Sequence, residues 1–137
     1  MEVEIIVKVD GKEVMTKKET IENDEVRYQK ISPFARYFSE KSPHWTGDPK
    51  YNLMFLIQQE MYANDLLRVK GHLSLGEVYD MLGISRTPSY SLVGWSYNKH
   101  SKENKRVDFG IHNKINQSFV NGITKNCLIE PNVDWTI

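Results

Sequence analysis

The sequence predicts an α+β fold with an N-terminal β-hairpin, two central helices and a C-terminal antiparallel β-meander. Apolar residues alternate with polar ones near both ends of the chain, which is typical of half-buried strands. Between those ends, a helical pattern runs from about residue 49 to residue 83. Helices and strands that occupy separate stretches indicate an α+β fold rather than a parallel βαβ sheet.

The first strand pattern predicts a hairpin over about residues 2–9 and 12–18. Asp10-Gly11 lies between the two strands, and this dipeptide suits a type I′ turn because both central residues take positive φ. The second strand is the more polar, so we expect one wet face. The first strand carries four alternating aliphatic residues: Val3, Ile5, Val7 and Val9.

An isolated hairpin is marginally stable in water, so we expect this one to pack on the rest of the chain. Residues 19–30 are charged and have no clear period, which indicates a linker or an irregular edge. We therefore divide the chain into a hairpin with its linker, residues 1–31, and a single α+β domain, residues 32–137.

Capping signals predict the helices. Ser32-Pro33 predicts a short helix from Phe34 to about Ser39, and Asp48-Pro49 predicts the longest helix, from Pro49 to about Val69, with Gly71 ending it. The apolar residues of the long helix cover more than one stripe, so we expect neighbours on two sides. A capping box of Ser74 and Glu77 predicts a further helix, which ends near Gly83.

After Pro88 the apolar residues recur at every second position instead of with a helical spacing. Residues 93–97 and 107–111 are predicted to form two antiparallel strands, with branched and aromatic residues on their inner faces. Asn121-Gly122 predicts a turn. Residues 127–129 and 133–137 predict one or two more strands.

Composition excludes several classes of function. The 18 basic and 18 acidic residues balance, so the basic excess of a duplex DNA-binding protein is missing. One cysteine excludes an internal disulfide and favours a reducing compartment. The N-terminus lacks the basic and apolar segments of a secretion signal, and the longest apolar run, residues 53–57, is far shorter than the ~20 residues that span a bilayer. We expect neither a membrane nor a nucleic-acid partner.

Residues 73–90 resemble the first helix and turn of a DNA-binding helix-turn-helix. Against this motif, Tyr79 stands where a small residue is favoured, and Ser89 stands where an aliphatic residue is needed. Pro88 fits the start of a recognition helix but not its interior. A small helix-turn-helix-like DNA-binding protein is therefore our second alternative.

No set of residues predicts catalysis, a metal site or a cofactor. Asp108-Phe109-Gly110 matches a kinase motif, but the accompanying loops are missing and the chain is too short. The four histidines lack zinc-site spacing, and we expect Cys127 to be a buried, inert thiol. An enzyme, for instance a hydrolase that uses His44, Asp48 or His112, is the least favoured hypothesis.

Five residues are candidate protein contacts. Trp45 lies in a loop where an exposed indole would anchor an interface. Arg86 follows the second helix. Lys99, Lys102 and Arg106 belong to a basic loop that suits an acidic partner, although such a loop is also common as a soluble hairpin tip.

Ordered motifs from Phe34 to Ile137 resemble the C-terminal region of an uncharacterised family of phage and prophage proteins from Firmicutes. Asp48-Pro49-Lys50-Tyr51-Asn52-Leu53 and Val107-Asp108-Phe109-Gly110-Ile111 are two of these motifs. Trp45 also matches, as do further stretches at residues 35–38, 62–67, 71–73, 77–83, 93–95, 119–122 and 132–134. Members of that family often carry a hydrophobic, membrane-like N-terminal region, whereas this chain has the predicted hairpin.

The resemblance implies a viral or prophage origin. We therefore expect a non-enzymatic accessory protein that binds a host or phage protein, in the host cytoplasm or in the virion. The first alternative is an inhibitor of a bacterial defence nuclease, such as an anti-CRISPR protein. The sequence leaves the oligomeric state open.

Overall fold

The computed structural model describes residues 2–9, 12–20 and 32–136, with side chains for residues 32–134. These residues form an α+β fold, as predicted, with a hairpin, two small antiparallel sheets and three α-helices. The helices are α1 Pro49–Lys70, α2 Leu75–Leu82 and α3 Gln117–Val120. The strands are β1 Glu2–Val9, β2 Lys12–Thr20, β3 Arg36–Phe38, β4 His72–Ser74, β5 Val93–Ser96, β6 Cys127–Ile129 and β7 Trp135–Thr136.

The predicted N-terminal hairpin is confirmed. Strands β1 and β2 pair antiparallel, with Ile5 opposite Lys17 and a register shift between Val7 and Lys8. Strand β2 continues to Thr20, so the linker predicted from residue 19 begins too early. The Asp10-Gly11 turn, the predicted wet face and residues 21–31 lie outside the description. The packing of the hairpin on the domain stays a prediction.

The helix predicted from Phe34 to Ser39 is wrong. The Ser32 Oγ accepts the Phe34 N–H at 3.1 Å, and the Ser32 carbonyl accepts the Ala35 N–H at 3.0 Å, so the predicted cap closes a single turn. Strand β3 then pairs antiparallel with β6. A one-turn helix gains few hydrogen bonds for the backbone it fixes, whereas β3 gains a strand partner and buries Phe38.

Helix α1 has the predicted ends. The Asp48 Oδ1 accepts the Lys50 N–H at 2.9 Å, and Pro49 occupies the first turn, where its missing N–H costs nothing. Gly71 ends the helix in the left-handed region, at φ 81°, and its N–H donates to the Leu67 carbonyl. Local chemistry alone therefore sets the bounds of this helix.

Helix α2 also matches its prediction. The Ser74 Oγ accepts the Glu77 N–H at 3.1 Å, while the Glu77 carboxylate accepts the Ser74 N–H at 2.8 Å. Gly83 follows the helix with φ 69°. The residues that precede α2 form strand β4, which the sequence did not predict.

The C-terminal strands do not form the predicted meander. In one sheet β5 lies between β4 and β7, and in the other β6 pairs with β3, so most partners come from earlier in the chain. Gly94 allows β5 to pair closely with β4, because a Cβ atom at this position would lie 2.0 Å from the Leu73 carbonyl oxygen. The predicted turn at Asn121-Gly122 is present, with Gly122 at φ 78°.

Residues 107–111 do not form the predicted strand, and Gly110, at φ 71°, begins a turn. The carbonyls of Asp108 and Phe109 accept backbone N–H groups of the C-terminal region, whereas side chains supply the other hydrogen-bond partners. The Asn64 Oδ1 accepts the Val107 N–H at 2.8 Å, and its Nδ2 donates to the Val107 carbonyl at 3.0 Å. The Glu60 Oε2 accepts the Phe109 N–H at 3.0 Å. The predicted inner residues Val107, Phe109 and Ile111 are nonetheless buried.

Two further asparagines hold irregular backbone in the same way. The Asn116 amide accepts the Leu128 N–H at 2.8 Å and donates to the carbonyls of Leu128 and Gly110. The Asn132 Oδ1 accepts the Asp108 N–H at 2.8 Å and the indole N–H of Trp95 at 3.0 Å. The Asn116 amide satisfies backbone groups that would otherwise be buried without partners, whereas the backbone groups that Asn132 binds are exposed.

Replacing Asn64→Leu should lower the free energy of unfolding by about 2–4 kcal/mol, because a buried N–H and a buried carbonyl at Val107 both lose their partner. Urea unfolding followed by tryptophan fluorescence measures the change. Gln117→Leu, at an exposed position, is the control and should shift stability by less than about 0.5 kcal/mol. Equal losses in both variants would contradict the role assigned to the amide.

Candidate protein-binding surface

The outer face of α1 carries large apolar side chains that the rest of the described chain leaves uncovered. Met54 is 70% exposed, Met61 61% and Val69 84%. We call this face the α1 outer stripe; its apolar members are Tyr51, Met54, Ile57, Met61, Tyr62 and Val69. The expectation that α1 has neighbours on two sides is therefore wrong, because the core contacts only the opposite face.

The spacing of these residues places them on one side of the helix. Tyr51, Met54, Gln58 and Met61 follow one another at intervals of three, four and three residues. Such intervals keep side chains on one face of a helix, as in a coiled-coil seam. The stripe therefore runs along the helix, and Gln58 is a polar interruption near its middle.

Charged side chains lie along the stripe. Lys50 is exposed at its N-terminal end. Asp65 lies towards the C-terminal end and forms an ion pair with Arg68, three residues further along. A lysine therefore borders one end of the central apolar region, and the Asp65–Arg68 ion pair borders the other.

The inner face of α1 has different chemistry. Asn52, Leu56, Glu60 and Asn64 recur every four residues on the side that faces the core. The Asn52 Nδ2 donates to the carbonyls of Thr46 at 2.9 Å and Lys125 at 3.1 Å. This face anchors loops, which leaves the outer stripe without a part in folding.

Trp45 is not the free anchor that the sequence predicts. It is half-buried against the core, and its indole N–H donates to the Lys125 carbonyl at 3.2 Å and the Asn126 Oδ1 at 3.1 Å. These contacts tie the loop before α1 to the loop before β6. The position of this side chain is therefore explained by the fold.

Arg86 is held within the fold as well. Its Nε and Nη2 atoms donate to the two Asp80 carboxylate oxygens at 3.0 and 3.2 Å, and its Nη1 donates to the Ser91 Oγ at 3.1 Å. The Asp80 carboxylate raises the pKa of Arg86 by this hydrogen bonding. The guanidinium also lies over Gly76, lining a surface depression with Pro88. A partner would have to compete with Asp80 for this side chain.

The basic loop, residues 99–106, presents some of its cations freely and pairs others. Arg106 lies 3.6 Å from the Glu60 carboxylate, and Lys105 lies 3.3 Å from Asp134. Lys99 and Lys102 are exposed and form no ion pair within the described residues. Lys99 and Lys102 therefore stay candidate contacts for an acidic surface.

The basic loop is ordered by its own side chains. The Asn104 Oδ1 accepts the Asn98 N–H at 3.0 Å, and its Nδ2 donates to the Asn98 carbonyl at 2.7 Å. The Asn98 Oδ1 in turn accepts the His100 N–H at 2.9 Å. Lys99 and Lys102 therefore project from a fixed turn rather than from a long flexible loop.

The residues proposed for a hydrolase remain apart. Asp48 caps α1, His44 stacks on Phe55 with ring centroids 5.0 Å apart, and His112 is exposed. No hydrogen bond or ion pair joins any two of these three within the described chain. Cys127 is buried, as predicted, and burial raises the pKa of its thiol.

The described residues provide no cluster of three or more His, Cys, Asp or Glu side chains that would hold a metal ion. The helix-turn-helix prediction is not realised: Pro88–Leu92 form a five-residue 3₁₀ helix with Tyr90 buried, and β5 follows directly. Within the described ranges, no helix combines the length and apolar character needed to cross a membrane.

Glu60 connects α1 to Phe109, in the segment that follows the basic loop. Burial raises the pKa of its carboxyl, and Asp108 adds to the rise, while the hydrogen bond from Phe109 and the charges of Arg106 and His112 oppose it. The pKa of Glu77 is shifted in the opposite direction. Burial acts to raise its pKa, but bonds to Lys70 and Ser74 outweigh burial and lower it.

Comparison with protein-family models matches residues 2–137 to a family of unknown function, DUF6353. The match includes the hairpin and so extends beyond residues 34–137, which carry the resemblance noted in the sequence. It confirms membership of an uncharacterised family. No curated protein and no solved structure matches the chain.

The opposite shifts of Glu60 and Glu77 predict opposite effects of pH on stability. Because the folded-state pKa of Glu60 is raised, its stabilising contribution is complete below the unfolded value near 4.5 and is lost as pH rises through the folded value. Relative to the parent protein, Glu60→Gln should therefore become more stable as pH rises from 4 to 7. Urea unfolding at a series of pH values measures this difference.

Glu77→Gln is the matched control. The folded-state pKa of Glu77 is lowered, so its stabilising contribution is present above the unfolded value and is lost as pH falls through the folded value. This variant should lose stability at neutral pH and approach the parent protein in acid. Parallel pH curves for the two variants would refute the opposite pKa shifts assigned to Glu60 and Glu77.

Proposed function

We propose that this member of DUF6353, a family of unknown function, is a phage- or prophage-encoded accessory protein that binds another protein through the α1 outer stripe. The sequence resemblance of residues 34–137 supports the phage origin. The exposed apolar stripe supports binding. In this proposal the chain acts by contact and not by catalysis.

The size of the stripe is the observation that carries the proposal. Its six apolar residues expose roughly 700 Å², taking about 200 Å² for a fully exposed large residue. Contiguous apolar patches of that size mark interaction sites more often than they occur by chance on a monomer. A protein partner that covers the stripe would remove this area from water.

The residue types suit a protein partner. Met54 and Met61 are unbranched and polarisable, so they adapt to the shape of an opposing apolar surface. Tyr51 and Tyr62 each combine a large apolar ring with a hydroxyl that can remain hydrated at the rim. Tyrosine and methionine are both enriched in protein interfaces.

The basic loop provides a separate, polar contact. Lys99 and Lys102 attract acidic partners over a distance set by ionic strength, and they act on the rate of association more than on final affinity. We assign them a steering role beside the apolar contact. Arg86 and Arg106 contribute less, because both already pair with carboxylates.

A photo-crosslinking amino acid at Met54 should yield a covalent protein adduct of discrete mass in cells that naturally carry the gene. The same probe at Lys41, an exposed position outside α1, should yield none. The reason is that, where the structure describes side chains, six of the eight exposed large apolar residues lie on the stripe. Denaturing electrophoresis and mass spectrometry measure the adducts.

Met61→Glu in the chain that carries the probe is the specificity control. It places a charge in the middle of the apolar contact, so the adduct should fall at least about tenfold. Met61 is 61% exposed, so this change should leave the fold intact. Equal adducts at positions 54 and 41, or no adduct at position 54, would refute the proposal.

A further inference from the structure

We propose that the partner of the α1 outer stripe is the stripe of a second copy of this chain, packed antiparallel across a two-fold axis. This inference rests on the proposed function, since it names the occupant of the same surface. It is carried by three properties of α1: the pattern of its charges, the arrangement of its apolar residues and the area it exposes.

The charges of the stripe complement one another only in the antiparallel arrangement. Lys50 and Asp65 lie at equal distances along the chain from the point between Ile57 and Gln58. A two-fold axis through that point brings each Lys50 opposite Asp65 of the partner subunit. A parallel arrangement would instead place lysine beside lysine and aspartate beside aspartate, which is unfavourable.

The same axis aligns the apolar residues. Met54 and Met61 are also equally distant from it, so each Met54 faces Met61 of the partner subunit. Ile57 and Gln58 lie next to the axis. A polar residue at the centre of an otherwise apolar helix pair favours one register over others.

The electrostatics of the helix ends add to this pairing. The first turn of α1 contains no acidic residue, although the partial positive charge of a helix N-terminus favours one there. In the antiparallel pair, Asp65 of the partner subunit lies beside this first turn and beside Lys50. Within each subunit Asp48 already caps this end and Arg68 already pairs with Asp65, so the contact between subunits adds to charges that are partly balanced.

The exposed area is consistent with a reversible dimer. A standard protein interface buries about 800 Å² from each partner. The six apolar residues of the stripe expose roughly 700 Å², and Lys50, Gln58, Asp65 and Arg68 border it. We therefore expect an equilibrium between monomer and dimer that depends on protein concentration.

The test is a charge exchange, measured by sedimentation equilibrium of the full chain at low salt over about 1 μM to 1 mM. The parent protein, 16.0 kDa as a monomer, should approach twice that mass. Lys50→Glu and Asp65→Lys should each weaken the dimer about tenfold, because each replaces two symmetric attractions by repulsions. The double variant should recover the parent affinity within about threefold.

Two controls separate the interface from the fold and from general charge. Lys114→Glu makes the same charge change at an exposed site outside α1 and should leave the dimer unchanged. Met54→Glu should weaken the dimer more than about a hundredfold while circular dichroism keeps the parent helical content. Met54 is 70% exposed in the subunit, so the folded monomer tolerates this change.

The remaining outcomes overturn the proposal. A protein that stays monomeric at every concentration, a dimer indifferent to Met54→Glu, or a dimer strengthened by Lys50→Glu alone would each exclude antiparallel self-pairing. A monomer that still gives a Met54 adduct with a different protein in cells would leave the proposed function standing. A monomer without any adduct would refute both.

Discussion

Side-chain amides hold the irregular half of this fold in place. Asn64, Asn116 and Asn132 each bond to backbone N–H and carbonyl groups of a distant segment, as a neighbouring strand would. An asparagine presents one acceptor and two donors in a plane, so it can reproduce one rung of a β-ladder. Burying these segments without such partners would cost about 1–3 kcal/mol for each unsatisfied group. The segment at residues 107–109 therefore depends on side chains of α1 and Asn132, together with backbone bonds from the C-terminal region to the carbonyls of Asp108 and Phe109.

The sequence predicts the elements whose signals are local. The ends of α1 and α2 follow from Asp48, Gly71 and the capping box, all within a few residues of the helices they bound. The errors arise where distant residues decide. The turn at Ser32 looks like a helix start, but strand β6, almost a hundred residues later, supplies the hydrogen bonds that make β3 extended. The period of two at residues 107–111 correctly identifies the buried side chains, although it does not reveal that their backbone partners are amides.

The candidate surface shows the same difference between what nearby residues determine and what distant residues determine. Hydropathy identifies Met54, Met61 and Tyr62 as apolar, but it does not show whether anything packs against them. That depends on which elements reach α1, and the core reaches only one face. The interval pattern of three and four residues is the signal that marks a continuous seam. Trp45 and Arg86 are predicted as contacts for another protein, and the contacts that the structure shows for them lie within the chain, to the Lys125 carbonyl and the Asp80 carboxylate.

The two faces of α1 divide folding from association. On the inner face, Asn52, Glu60 and Asn64 bind the backbone of three loops, so substitutions there change the stability of the domain. On the outer face, the side chains make few contacts within the subunit, so substitutions there change only what the subunit binds. A helix that is fixed from one side presents its other side with little conformational freedom left to lose. In the proposed complex this preorganisation would lower the entropic cost of association, which suits a stripe of modest area.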